Sequence, residues 1–129
     1  MEIKPTKKEQ VFIDAYLACI DFTEERIPVT DLTAPSQLAE WDIESGLDED
    51  FLRESYIDCL AFFSRICCCL SDNQFAQAGL DFWLTRNRHG TGFWDREKEY
   101  GERHAETFTK IAESFGEVDA TYNELKTYA

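Results

Sequence analysis

Residues 48–70 read Asp48-Glu49-Asp50-Phe51-Leu52-Arg53-Glu54-Ser55-Tyr56-Ile57-Asp58-Cys59-Leu60-Ala61-Phe62-Phe63-Ser64-Arg65-Ile66-Cys67-Cys68-Cys69-Leu70. Three acids at the start suit the positive end of a helix dipole. Leu52, Tyr56, Cys59, Leu60, Phe63, Ile66, Cys67 and Leu70 then recur at three- and four-residue steps. The spacing predicts one long amphipathic helix, expected to lie at the centre of the fold.

Working toward the N-terminus, Thr6 followed three residues later by Glu9 is a capping-box pattern. Val11, Phe12, Ala15, Tyr16 and Cys19 follow at helical spacing. Ile13, Leu17 and Ile20 widen that stripe into a face expected to be buried on more than one side. The helix should fade near Asp21–Glu25, ahead of Pro28. From Ile27 to Gly46 the pattern is irregular, broken by Pro28 and Pro35. This long acidic connection has room for a short helix from Ser36 to Trp41, and connections of such length are often functional.

Toward the C-terminus, Ser71 or Asp72 can cap a third helix carrying Phe75, Ala78, Gly79, Phe82 and Trp83. The loop Asn87–Gly92 ends it, with positive φ expected at Asn87 and Gly90. A last helix over Glu97–Phe115 presents Tyr100, His104, Phe108, Ile111, Ala112 and Phe115, and Gly116 is its terminator. Ala120–Ala129 reads as a short extended tail. The expected fold is all-α: a single helical domain over residues 1–129, built as a bundle of about four helices.

An apolar share of 43% and an aromatic share of 14% are enough for a packed core, which argues against wholesale disorder. No run of eighteen apolar residues exists, and the first residues lack the apolar stretch of a signal peptide. A cytoplasmic protein is expected. The five cysteines, Cys19, Cys59, Cys67, Cys68 and Cys69, are odd in number and lack zinc-ligand spacing. They read as small apolar residues in or near a core helix, and neither a metal nor another cofactor is expected.

The net charge is −13, and its distribution is uneven. Residues 1–64 carry 15 Asp and Glu against 5 Lys and Arg, whereas residues 65–129 carry 11 against 8. Phosphate backbones and anionic membranes both call for a basic face, so neither direct nucleic-acid binding nor membrane binding is expected. A partner with a basic surface would be drawn in instead.

The densest cluster of chemistry-bearing residues is Asp81-Phe82-Trp83-Leu84-Thr85-Arg86-Asn87-Arg88-His89-Gly90-Thr91-Gly92-Phe93-Trp94-Asp95. The stretch resembles a family of small proteins encoded by bacteriophages and other mobile elements. In that family a DFWLTRNGHGxGFWD segment follows a Gln-Ala-Gly step, here Gln77-Ala78-Gly79, with a looser match through Phe115-Gly116-Glu117. Arg88 stands where the family pattern often has Gly. The resemblance implies a phage or prophage origin and a bias toward host takeover or counter-defence. It brings no biochemical activity with it.

Within this motif loop, Asp81, Arg86, Asn87, Arg88, His89, Phe93, Trp94 and Asp95 are candidate functional residues. One reading makes His89 a general base held by Asp81 or Asp95. The plainer reading pairs those carboxylates with Arg86, Arg88 or Arg96 to fix the loop. A metal set of His89, His104, Asp81 and Asp95 lacks any organising motif.

The acidic region offers a different surface. Glu40, Asp42, Glu44, Asp48, Glu49, Asp50, Glu54 and Asp58 interleave with apolar residues, of which Trp41 and Phe51 are the candidate anchors. Carboxylates on a rigid helix can imitate DNA phosphates and occupy the basic cleft of a nucleic-acid-acting host protein. The leading expectation is therefore an inhibitory binding protein. The alternative is a small enzyme or ligand-binding protein with its site at the Asp81–Asp95 loop.

Overall fold

The structure, a computed structural model, describes residues 3–23 and 47–121. Five α-helices lie among them: α1 (Lys7–Thr23), α2 (Glu49–Ile66), α3 (Phe75–Arg86), α4 (Glu97–Tyr100) and α5 (Glu102–Ser114). Short 3-10 turns occupy Cys67–Cys69, Asp72–Gln74 and Phe93–Asp95. The mainly-α class expected from the sequence is the class observed.

Local chemistry sets the helix starts. The Thr6 N–H donates to Glu9 Oε1 (2.7 Å) while the Glu9 N–H donates to Thr6 Oγ1 (3.3 Å), closing the capping box of α1. Asp48 Oδ2 accepts from the N–H groups of Asp50 and Phe51 at the head of α2. Before α3, the Ser71 N–H donates to Gln74 Oε1 (3.0 Å).

The core is aromatic. Phe62 of α2 and Phe82 of α3 stack face to face, with ring centroids 4.1 Å apart. Phe12 of α1 packs against Phe62, Phe63 and Phe82. Phe93 closes the far side against Tyr100 and Phe108. Each such pair contributes about 0.5–1.5 kcal/mol beyond burial alone.

The most extensive helix contact is between α1 and α3, so α2 is not the centre the sequence suggested. The reason is Gly79. A Cβ there would collide with the Phe12 carbonyl oxygen, and its absence lets the two backbones approach closely. The buried stripe of α2 is also turned from the expected one, to Phe51, Ser55, Cys59, Phe62, Phe63 and Ile66. Leu52, Tyr56, Leu60, Cys67 and Leu70 are the half-buried rim around it.

Three further expectations need correction. The last helix is broken at Gly101 (φ 89°, ψ 146°), which separates α4 from α5. Asn87 has φ −102°; positive φ in its loop falls on Gly90, as expected, and also on Arg88 and Gly92. Cys68 and Cys69 are exposed on a 3-10 turn rather than packed in a helix, while Cys19 and Cys59 are buried. The expected Ser36–Trp41 helix and most of the tail lie outside the described residues. Where the tail begins, Thr121 O accepts from the Asp48 N–H (2.8 Å).

Candidate functional site

The motif Asp81–Asp95 runs from the end of α3 through a tight loop into a 3-10 turn, and most of its polar groups are committed to internal bonds. Asp81 is fully buried. Its carboxylate accepts from Arg96 Nε (2.8 Å), the Tyr100 hydroxyl (2.7 Å) and Gln77 Nε2 (3.2 Å). Burial pushes the Asp81 carboxyl above its ordinary range, and the bonds from Arg96 and Tyr100 offset this only in part.

Arg86 is 2% exposed and ties three elements together. Nη1 donates to Asp58 Oδ2 (3.0 Å) on α2 and to the Tyr16 hydroxyl (3.2 Å) on α1. Nε and Nη2 donate to the Gly116 and Phe115 carbonyls just past α5. Those carbonyls are orphaned by the end of the helix, and the guanidinium satisfies them.

The turn itself is locked from inside. The Phe93 N–H donates to Thr85 Oγ1 (3.0 Å), and Gly92, with φ 151°, lies so close to Thr85 that a Cβ would strike that hydroxyl. Asp95 accepts from the Gly92 N–H (3.0 Å) and the Thr91 hydroxyl (2.7 Å). Despite slight desolvation, these bonds hold its carboxyl below its ordinary range. Asn87 Oδ1 accepts from the Val118 N–H, and Asn87 Nδ2 donates to the Trp83 carbonyl.

His89 is exposed, with its ring beside Trp83, and makes no bond to either Asp81 or Asp95. The acid–base pair of the first reading is not assembled, and Asp81 pairs with Arg96 as the plainer reading had it. Of the four motif aromatics, Phe82, Trp83 and Phe93 are buried, whereas Trp94 is 50% exposed. Arg88 is exposed and reaches Glu117 only at 4.0 Å. Among the described residues, no group of three or more His, Cys, Asp or Glu side chains is placed to hold a metal ion.

The acidic surface is narrower than the sequence suggested. Glu49, Asp50 and Glu54 are exposed along α2, with Asp48 half-buried as its cap. Asp58 is withdrawn from the face by Arg86, and Phe51, at 8% exposed, is a core residue rather than an anchor. Asp50 shares its carboxylate with Arg53 (3.0 Å), a solvated pair of little strength. Glu40, Trp41, Asp42 and Glu44 lie outside the described residues.

Two residues that the sequence did not single out join this face. Asp50, Glu54, Ile57 and Ala61 follow one another at four-, three- and four-residue steps, and Ile57 is 45% exposed. The Asp48–Thr121 bond also brings the segment holding the exposed Asp119 alongside the acidic start of α2. Spacing would have found Ile57. Only the tertiary fold could supply Asp119.

No helix among the described residues is long and apolar enough to cross a membrane. Compared with known protein families, curated proteins and solved structures, the chain has no match.

Proposed function

We propose that the chain is a phage-type binding protein that inhibits a host protein with a basic surface in the host cytoplasm. The docking face is the outer side of α2, where Glu49, Asp50 and Glu54 supply charge and Ile57 supplies the apolar contact. A nucleic-acid-acting or defence protein is the target class, since such proteins carry clefts that accept regularly spaced negative charge. The observation that carries the reading is the exposure of Ile57 beside Asp50 and Glu54 on the outer face of α2, which Arg53 shares, because charge alone would serve solubility equally well. Capture from bacterial lysate tests it. The wild-type chain should retain a basic protein that the E49K/D50K/E54K variant and Ile57→Asp each lose.

A second reading places a ligand or partner at the motif loop. It rests on Trp94, an exposed aromatic on a rigid turn, the residue type that most often anchors interfaces. Trp94→Ala separates the two: under the first reading it leaves capture intact, and under the second it abolishes it.

A further inference from the structure

The outer face of α2 holds more than its carboxylates. Glu54, Ile57, Ala61 and Ser64 follow one another at three-, four- and three-residue steps and are all exposed, which sets them along one line of the helix. Ile57 is the bulky residue of that line, and Ala61 is the notch beside it. The Ser64 hydroxyl donates to the Ala61 carbonyl (2.8 Å), so the line can be covered without orphaning a donor. Arg65, also exposed, lies eleven residues beyond Glu54, about three turns on, and so shares its flank. Neither Glu54 nor Arg65 is in an ion pair among the described residues. Glu49, Asp50 and Glu54 outnumber Arg53 at the start of α2, whereas residues 62–71 contain Arg65 and no acid. The helix is therefore acidic at its start and basic at its end.

We propose that this face docks a second copy of the chain, the two α2 helices packing antiparallel across a twofold axis. Antiparallel packing sets the acidic start of one helix against the basic end of the other. Glu54 of each copy then meets Arg65 of the other, and Ile57 of each fills the notch at Ala61 of the other. Counted along the helix, the first pairing centres between Cys59 and Leu60 and the second on Cys59. One axis therefore serves both, as an isologous contact requires. Parallel packing would instead press the two acidic starts together. A single helix pair falls in the class of small interfaces, below about 1,200 Å² in total, that form weak and reversible complexes. The dimer covers the Ile57 that the proposed host docking uses, so the two occupants compete wherever that reading also holds.

The test is sedimentation equilibrium of the full chain under reducing conditions, from about 0.01 mM to about 1 mM protein, in about 0.15 M salt to screen the repulsion between two acidic chains. A reversible monomer–dimer equilibrium is expected. Ile57→Asp, Glu54→Arg and Arg65→Glu should each weaken it about tenfold or more, the last two by setting like charges together. The double variant E54R/R65E, which exchanges the pair, should recover the wild-type constant to within about threefold. Ile57, Glu54 and Arg65 are exposed, and circular dichroism checks that each variant folds. A chain that stays monomeric throughout, a single variant that dimerises as the wild type does, a double variant that recovers nothing, or growth beyond dimers would each overturn the proposal. Arg65→Glu should abolish the dimer yet leave lysate capture intact, so a failure here and a failure of host docking are told apart.

Discussion

Arg86 Nη1 lies 3.0 Å from Asp58 Oδ2, and this bond joins the motif to the acidic helix. It converts a carboxylate that looked like part of a docking face into the partner of a buried guanidinium. Because Asp58 is 31% exposed, part of that pair is screened by water. Arg86→Met is expected to cost about 3 kcal/mol in urea unfolding, the low end for breaking a buried pair. Arg86→Lys should cost about 2 kcal/mol, since an ammonium cannot reach the oxygens held by the planar fork.

Gly92 and Thr85 should behave as one unit. Gly92→Ala forces a Cβ onto Thr85 Oγ1 at a φ that side chains rarely adopt. Thr85→Ala removes the clash but orphans the buried Phe93 N–H, at about 1–3 kcal/mol. The double variant is therefore expected to lose less stability than the two single losses combined. Strict additivity in a thermal or urea double-mutant cycle would contradict the contact.

Arg88 sits at φ 55°, in the left-handed region, with a long and exposed contact to Glu117. Arg88→Gly should stabilise the chain by about 0.5–1 kcal/mol, because the strain removed exceeds the added backbone freedom. Circular-dichroism melts of the two forms check it.

Acid should expose two carboxylates of opposite sign. Asp95 is held below its ordinary 3.8, so the unfolded chain binds the proton first, and stability falls as pH drops through that interval. Asp95→Asn should accordingly be less stable than wild type at pH 7, with the gap closing below pH 3.8. Asp81 is held above 3.8 by burial, so the native chain binds the proton first, and its contribution falls as pH rises from 3.8 through the native value. Urea midpoints across this range, for wild type and Asp95→Asn, separate the two.

Helix starts were legible because capping is local. Thr6 with Glu9, Asp48, and Ser71 with Gln74 each act within three residues. The break at Gly101 was masked by an apolar rhythm that continues from Tyr100 to Phe108 across a change of direction. The plainer reading of the motif holds for Asp81, which pairs with Arg96, yet the further partners Tyr16, Asp58 and Tyr100 lie on other elements and leave no sequence spacing to follow. Phe51 was misplaced for a related reason. The buried side of α2 depends on the direction from which α1 and α3 pack, which periodicity alone leaves open.

The most direct test of the account is the affinity of the full chain for its captured host protein as salt rises from about 0.1 M to about 1 M, over which the screening length contracts from about 10 Å to about 3 Å. If the exposed carboxylates of α2 drive docking, the wild-type complex should weaken about tenfold or more, and the E49K/D50K/E54K variant should fail to bind even at the low end. An affinity that stays flat across the range, with the variant binding as tightly as the wild type, would contradict it.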